Sequence, residues 1–229
     1  MNAGKTYMPV PAQPKIYHIV HMDRLPGIAK ENGLWCMTEV EKRSLAGTSI
    51  GLRQVKASRA RELLVSCHQG LMVGECVPFN FCPRSVMLYM IYRANYPGLD
   101  YKGGETPIVH LEADYHQVVH WAEINGKRWA VTPTNAGSRY SDFFATPEGL
   151  TALKWHCIDT RRFSGSAIDP MIKDYKQAEF LLESFFPWEL VERIGIHPKT
   201  NALAVSDVLA GCKHRPSIEV MKDWYYVDV

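Results

Sequence analysis

The chain has 229 residues, of which 46% are hydrophobic, and its 26 Lys and Arg against 24 Asp and Glu give a formal net charge of +2. This length predicts a single domain spanning residues 1–229, because domains commonly hold roughly 100 to 200 residues. A charge so close to neutral excludes the overall basic character of many nucleic-acid-binding proteins, while a local basic face stays compatible with it.

The cysteines and the N-terminal segment predict a protein of the reduced cytoplasm. The six cysteines are scattered and form no CxxC pair. MNAGKTYMPVPAQPK lacks the apolar core of a secretion signal. No apolar run approaches the roughly 20 residues of a membrane span.

The first half of the chain predicts strands alternating with helices. KIYHIVHM alternates like a strand, with Ile16, His18 and Val20 on one side. DRLPGIAKENGLW predicts a short helix ended by its NG pair, and EVEKRSLAGTSIGLRQVKASRARELLV predicts a polar stretch followed by a helix. VPFNF then predicts a strand, and PRSVMLYMIYRANY predicts a helix with Pro83 in its first turn.

The second half predicts further strands around one long connection. PIVHLEAD, RWAVTPT and AEFLL are typical of strands, PWELVERI predicts a helix, and a last strand is expected near PSIEVM. The connection before AEFLL is read as mostly irregular, with one short helix. The fold class is therefore α+β, and a connection of this length predicts a functional loop.

Glu179 stands in an otherwise apolar run, KQAEFLLESFFP. Burying an unpaired carboxylate would cost several kcal/mol, to order of magnitude. In a strand, Glu179 and Leu181 would share one face while Phe180 and Leu182 point to the other, so Glu179 could enter a cleft. The alternative is a helix with Glu179 on its solvated face.

His18 and His21 in HIVH suggest a metal site, but no further ligand has suitable spacing, and strand alternation places the two on opposite faces. We expect no metal. His18 is open to two interpretations: a hydrogen-bond partner for a ligand, or a core histidine.

Four cations, Arg53, Lys56, Arg59 and Arg61, surround the predicted polar helix. They form either a solvated face or a clamp on phosphate groups, for which guanidinium is well suited.

Cations and aromatic residues interleave in the long connection. Cations follow a phosphate backbone and aromatic rings stack on unpaired bases, so this composition suits single-stranded nucleic acid; ordinary packing beneath a loop is the alternative. The residues concerned are Arg139, Tyr140, Phe143, Phe144, Lys154, Trp155, Arg161, Arg162 and Phe163.

Four segments together resemble the DarT family of DNA ADP-ribosyltransferase toxins, which transfer ADP-ribose from NAD to bases of single-stranded DNA. They are YHIVHMDRLPGI (17–28), VPFNFCPRSVMLY (77–89), KQAEFL (176–181) and KDWYY (222–226). The segments follow the family's order and span nearly the whole chain.

The resemblance implies a compact ADP-ribosyltransferase fold, with central sheets, helices, an NAD cleft and a DNA substrate loop at about residues 138–179. It implies that Glu179 is the catalytic acid and Arg59 the catalytic arginine, with Arg53 or Arg61 as alternatives. NAD contacts are implied for His18, Ile19, Val20, Gly27, Trp35 and Arg59. DNA contacts are expected from the loop residues Arg139, Tyr140, Lys154, Trp155, Arg161 and Arg162.

The implied activity is transfer of ADP-ribose from NAD, as co-substrate and without a metal, to a base of single-stranded DNA. Thymine is the preferred base by resemblance. The alternatives are guanine or RNA as the target of the same chemistry, and a non-catalytic module that binds single-stranded nucleic acid. A macrodomain antitoxin, of the DarG kind, is the partner that the resemblance implies, and no membrane association is expected.

Overall fold

The computed structural model describes residues 8–227, which form a mixed α+β fold around a seven-stranded sheet. The strands are β1 (Lys15–His21), β2 (Gly33–Trp35), β3 (Cys76–Asn80), β4 (Ile108–Asp114), β5 (Trp129–Thr132), β6 (Glu179–Glu183), β7 (Phe185–Pro187), β8 (Arg193–Ile196) and β9 (Ser217–Val220). The helices are α1 (Leu25–Lys30), α2 (Met37–Lys42), α3 (Arg53–Arg61), α4 (Val86–Arg93), α5 (Tyr115–Ile124), α6 (Gly149–Ala152), α7 (Trp155–Asp159), α8 (Pro170–Tyr175) and α9 (Asn201–Leu209). Short 3-10 helices lie at Met22–Arg24, Val73–Glu75, Trp188–Leu190 and Lys222–Trp224.

The large sheet has the strand order β5-β6-β3-β1-β4-β8-β9. Its neighbours pair antiparallel except β8 and β9, which are parallel, and β2 pairs with β7 in a separate ribbon. In β6, Glu179 lies opposite Thr132 on one side and Asn80 on the other. The carboxylate therefore starts inside the sheet, where both neighbouring strands hold its backbone.

Side-chain alternation along β6 confirms the strand interpretation of AEFLL. Phe180 and Leu182 belong to the main hydrophobic core, whereas Leu181 packs with a second cluster that includes Leu63 and Val73. Glu179 shares the face of Leu181, as period-two alternation requires. The alternative of a helix with an exposed Glu179 is wrong, because Glu179 is only 5% exposed.

The expected helix at PWELVERI is wrong. Pro187 ends β7, a 3-10 turn follows, and Arg193–Ile196 forms β8 against β4. Arg193 also donates to the buried Glu112 carboxylate at 2.6 Å. Pairing with a distant strand therefore outweighs the local helical pattern of this segment.

Three helices, α2, α5 and α9, and the two short strands β2 and β7 were missed. Pro83 precedes α4 rather than lying in its first turn. The start of α5 carried a signal, because the Asp114 side chain caps it by accepting from the backbone N–H of Gln117 at 3.1 Å. The long connection is also more regular than expected, since it contains α6, α7 and α8. Short helices bounded by Gly and Pro carry little periodic signal.

The KDWYY segment is built into the core. Tyr225 is fully buried, and its hydroxyl donates to the carbonyl oxygens of Ile108 at 2.8 Å and Gly195 at 3.0 Å. The Tyr226 hydroxyl donates to the Arg84 carbonyl at 2.9 Å. This segment therefore ties β4, β8 and the start of α4 together.

Candidate active site

A cleft of about 330 Å³ opens between the β1, β3 and β6 region of the sheet, α3, and the segment of residues 45–52. Most of its lining is apolar, with a few charged groups at defined positions. Such a cavity is typical of a small-molecule site. All the residues expected to act on or contact NAD line it, namely His18, Ile19, Val20, Gly27, Trp35, Arg59 and Glu179.

Glu179 is paired and hydrogen-bonded within this cleft. Its Oε1 accepts from Arg59 Nη2 at 2.6 Å and from the Ala136 backbone N–H at 3.0 Å. Its Oε2 accepts from Arg59 Nη1 at 3.0 Å. Two parallel bonds from one guanidinium are the strongest geometry available to a carboxylate, and they offset the cost of burying it. The apolar setting of Glu179 is thus compatible with its charge.

Arg59 is the one member of the cationic group that reaches Glu179. It lies in the last turn of α3, and its side chain is 15% exposed. Arg53, at the start of α3, is 85% exposed and pairs with Asp100 on the surface, and Arg61 is exposed. Residues 53, 59 and 61 point in different directions around a helix, so only Arg59 faces the cleft. Lys56, one turn before Arg59, also lines it.

His18 lies on β1 with its ring half-buried. Its Nδ1 is 2.8 Å from the Pro78 carbonyl oxygen, which can only accept, so Nδ1 carries the proton and Nε2 keeps a lone pair. Burial lowers the pKa of His18, the Pro78 carbonyl opposes this shift, and Arg24 and Lys56 lower the pKa further. The imidazole is therefore neutral at neutral pH, with one acceptor atom for a ligand.

Gly27 and Trp35 take different places at the cleft. A Cβ added at Gly27 would meet no atom within 4 Å, so the glycine leaves space beside the cleft rather than relieving a clash. The Trp35 indole Nε1 donates to Glu31 Oε2 at 2.9 Å, and the guanidinium carbon of Arg43 lies 3.7 Å from the ring centre. These two contacts hold the Trp35 ring in place, and the ring forms an aromatic part of the cleft lining.

A loop that the sequence reasoning did not single out covers one side of the cleft. The Asp23 carboxylate accepts from the backbone N–H and hydroxyl of Thr48, and Arg24 donates to the Gly47 and Thr48 carbonyls. A Cβ at Gly47 would lie 2.4 Å from Arg24 Cγ, so glycine is needed for this close approach. The sequence signal was the DR pair, one residue beyond the end of β1 within YHIVHMDRLPGI.

Asn135 was also missed. Its Oδ1 accepts from Arg59 Nη2 at 3.0 Å, its Nδ2 donates to Gln177 Oε1 at 3.1 Å, and both amides line the cleft. The only sequence signal was its place just after a predicted strand in VTPTN, and such a position gives no indication of a long-range contact.

Most of the expected DNA-contacting residues lie at the surface. Arg139 pairs with Glu62, and Arg161 pairs with Asp223. Lys154 and Arg162 are exposed, and Tyr140 is 95% exposed.

Trp155 corrects the expectation for the loop. It is 6% exposed, its Nε1 donates to the Leu150 carbonyl at 3.1 Å, and its ring packs edge-on against Phe81. Trp155 belongs to the hydrophobic core and cannot stack on a base in this arrangement. The large apolar surface of an indole is stabilised by burial more than by a place at a loop surface.

Within residues 8–227, no group of three or more His, Cys, Asp or Glu side chains is placed to hold a metal ion. His21 Nδ1 instead lies 2.9 Å from Asp23 Oδ1. No helix in the same range has the length and apolar character needed to cross a bilayer.

Comparison with known proteins identifies relatives of the chain. A family model described as "ssDNA thymidine ADP-ribosyltransferase, DarT" matches residues 17–226. A DNA ADP-ribosyl transferase of Thermus aquaticus is 36% identical over 220 residues, which cover 95% of this chain and 90% of the relative.

Solved structures show the same fold. DarT of Thermus sp. 2.9 in complex with ADP-ribosylated ssDNA has a TM-score of 0.80 and 32% identity, covering 96% of this chain and 99% of that one. The complex of Thermus sp. 2.9 DarT with NAD+ has a TM-score of 0.75 and 29% identity, covering 95% of this chain and 100% of that one. The chain therefore belongs to the DarT family of single-stranded DNA thymidine ADP-ribosyltransferases.

Proposed function

We propose that this protein transfers ADP-ribose from NAD to thymine in single-stranded DNA, with Glu179 and Arg59 at the reacting centre. Its enzyme class is that of the NAD-dependent ADP-ribosyltransferases that act on single-stranded DNA. The observation that carries the residue assignment is the two-pronged Arg59–Glu179 pair, buried in the cleft that His18 also lines.

Glu179 is suited to hold a ribose hydroxyl. A carboxylate has about four acceptor positions. Glu179 uses two on Oε1 and one on Oε2 in the described structure, which leaves a position on Oε2. Positive charge develops on the ribose as its bond to nicotinamide breaks, and a fixed carboxylate stabilises that charge most in the transition state.

Arg59 is suited to stabilise negative charge rather than to accept a proton. A guanidinium has five N–H donors, no acceptor and a pKa above about 12. In the reaction, the thymine nitrogen bonds to the anomeric carbon, neutral nicotinamide leaves with the electrons of its ribose bond, and the nitrogen's proton passes to solvent. Arg59 would lower the free energy of the deprotonated base, because its positive charge lies beside the cleft.

NAD would lie between the histidine side and the cationic side of the cleft. The neutral His18 has an acceptor, Nε2, for a ribose hydroxyl. Arg24 and Lys56 supply positive charge suited to a diphosphate. Burial and the nearby Arg24 lower the pKa of Lys56, so an anionic ligand between these cations would relieve their repulsion.

The DNA strand would cross the loop surface that carries Arg139, Tyr140, Lys154, Arg161 and Arg162, all of which are exposed. The cations would contact phosphates and Tyr140 would stack on an unpaired base. Trp155 has no direct part in this proposal, because it is buried.

We also propose a toxin role restrained by a macrodomain antitoxin that removes the ADP-ribose. This proposal is supported by membership of the family and by the cost that uncontrolled modification of DNA bases would impose on a cell.

Mass spectrometry of oligonucleotides that differ by a single thymine, incubated with NAD, tests the function. The wild-type protein should add one ADP-ribose only where thymine is present. Glu179→Gln keeps the size and hydrogen-bonding capacity but deletes the charge, so it should retain binding of NAD and single-stranded DNA. Its transfer rate should fall by on the order of a hundredfold to a thousandfold.

The outcomes separate the parts of the proposal. Modification of thymine-free strands that contain guanine would replace thymine by guanine as the target. Full activity of Glu179→Gln would remove Glu179 from the reacting centre.

A further inference from the structure

Asn135 lies at the junction between the catalytic pair and the start of the substrate loop. Its Oδ1 accepts from Arg59 Nη2 at 3.0 Å, beside the bond from the same nitrogen to Glu179 at 2.6 Å. Its Nδ2 donates to Gln177, two residues before Glu179. One amide therefore contacts both the catalytic arginine and the segment that leads into the catalytic strand.

The turn around Asn135 is rigid. Its Oδ1 also accepts from the Gly137 backbone N–H at 2.6 Å, the pattern of an Asx turn. Its backbone carbonyl accepts from the Ser138 N–H at 2.9 Å and from the Ser141 hydroxyl at 2.6 Å. A Cβ at Gly137 would lie 2.7 Å from Asn135 Oδ1, so the glycine permits the tight fit. The side-chain oxygen is thus held in place before any substrate binds.

Arg59 depends on this oxygen for a fixed orientation. Its Nε is buried and has no hydrogen-bond partner within residues 8–227, so its recorded polar contacts are Glu179 and Asn135. Glu179 must also serve the ribose in the proposed reaction. Asn135 has no second partner to serve in that reaction. It would therefore keep the Arg59 guanidinium in place while the Glu179 carboxylate binds the ribose of NAD.

We propose that Asn135 is a positioning residue that fixes Arg59 for transfer to the base. The inference rests on the proposed roles of Glu179 and Arg59. It implies that loss of Asn135 lowers the rate of the chemical step and leaves NAD binding intact, because no direct contact of Asn135 with NAD is required. A misplacement of about 1 Å in a reacting group can cost about a hundredfold in rate.

A double-mutant cycle tests the inference, with Asn135→Ala, Arg59→Lys and the double variant compared with wild type in single-turnover transfer to a thymine oligonucleotide. Asn135→Ala should lose about tenfold to a hundredfold in rate, with the NAD dissociation constant within about threefold of wild type. Lysine cannot form the two-pronged contact, so Asn135 has nothing to position in Arg59→Lys. The double variant should therefore match Arg59→Lys within about threefold.

The pH dependence gives a second readout. If Arg59 stabilises the deprotonated base, its misplacement in Asn135→Ala should move the rising limb of the pH–rate profile to higher pH. Asn201→Ala removes an amide that donates to the Thr106 carbonyl, and neither of these residues lines the cleft, so this variant is the matched control and should leave rate and profile unchanged.

Multiplicative losses in the double variant, an unmoved pH profile, or an unaffected Asn135→Ala would each overturn the positioning role. The wild-type rate separates this failure from that of the proposed function, because an inactive wild-type protein would reject the function itself. Thermal unfolding of each variant shows whether a rate loss reflects unfolding.

Discussion

At the residue scale, the Arg59–Glu179 pair explains why a carboxylate is tolerated in an apolar strand. Removing one member of a buried pair leaves the other charge uncompensated and costs roughly 3–5 kcal/mol of stability. Glu179→Gln therefore needs a measurement of its thermal unfolding beside its transfer rate, and a variant that keeps the charge is a useful complement to it. Arg59 offers such a variant, since lysine keeps the charge and loses the planar fork.

We expect Arg59→Lys to lower the transfer rate by on the order of a hundredfold, because one ammonium cannot donate to both Glu179 oxygens in the same geometry. Arg53→Lys is the matched control and should stay within about twofold of wild type, since Arg53 is 85% exposed and its surface pair with Asp100 contributes little. Nicotinamide release in the presence of saturating oligonucleotide measures both rates. Similar small losses in the two variants would assign the cations of α3 to a solvated face.

At the element scale, α3 has no buried residue, yet it carries Arg59, the partner of Glu179. Its placement depends on the close approach of its backbone to the 3-10 helix Val73–Glu75. A Cβ at Gly74 would lie 2.7 Å from the Ala60 Cα and 3.0 Å from the Arg59 carbonyl carbon. Backbone atoms cannot yield as a flexible side chain can, so any larger residue at position 74 must move α3.

Gly74→Ala should therefore lower transfer by about tenfold or more, because a shift of α3 moves Arg59 away from Glu179. Gly211→Ala is the control, since an added Cβ there meets no atom within 4 Å. Steady-state transfer rates at saturating NAD and DNA, with circular dichroism to verify folding, decide the matter. A Gly74→Ala protein with the wild-type rate would show that α3 can adjust without loss.

The loop of residues 138–179, the proposed DNA-binding segment, is anchored by a buried lysine. Lys176 is 2% exposed, its Nζ donates to the Ile158 carbonyl at 2.8 Å at the end of α7, and it lies 5.5 Å from the centre of the Phe163 ring. This contact joins the middle of the loop to a residue three positions before Glu179. The loop is thus tied to the strand that carries Glu179.

Lys176→Met should weaken binding of single-stranded DNA while leaving NAD affinity near wild type, because methionine fills the space but cannot hold the α7 carbonyl. Lys173→Met, at an exposed position on α8, is the control for loss of one positive charge. Fluorescence anisotropy with a labelled oligonucleotide and calorimetry with NAD separate the two affinities. Equal losses of DNA affinity in the two variants would show that Lys176 contributes only its positive charge, and not an anchoring contact.

At the scale of the whole molecule, a buried histidine makes stability depend on pH. Burial lowers the pKa of His110 to about 4, against 6.5 for the ordinary group, although Nε2 lies 3.0 Å from the Pro83 carbonyl. The unfolded chain therefore binds the proton more tightly. The stability linked to His110 is complete above the unfolded pKa and is lost as the pH falls through 6.5 towards 4.

Between pH 7 and pH 5 the free energy of unfolding of the wild-type protein should decrease, and urea unfolding should show that His110→Gln removes about 2 kcal/mol of this decrease. The magnitude follows from the difference between the folded and unfolded pKa values of His110. Glutamine can still donate to the Pro83 carbonyl but does not titrate. His120→Gln, at an exposed position on α5, should leave the loss unchanged. The same loss in His110→Gln as in wild type would assign the pH dependence to other groups.

The sequence by itself determined the α+β class and the strands that flank the cleft, and it singled out Glu179 as the candidate catalytic carboxylate. Those predictions depend on local signals: period-two alternation around Glu179, and motif segments that each lie within a few consecutive residues. The tertiary structure decided which of Arg53, Arg59 and Arg61 meets Glu179, because that depends on how a polar helix docks on Gly74. It also revealed Asn135 and placed Trp155 in the core, since contacts between residues tens of positions apart arise from sheet pairing and burial, and no local pattern encodes them.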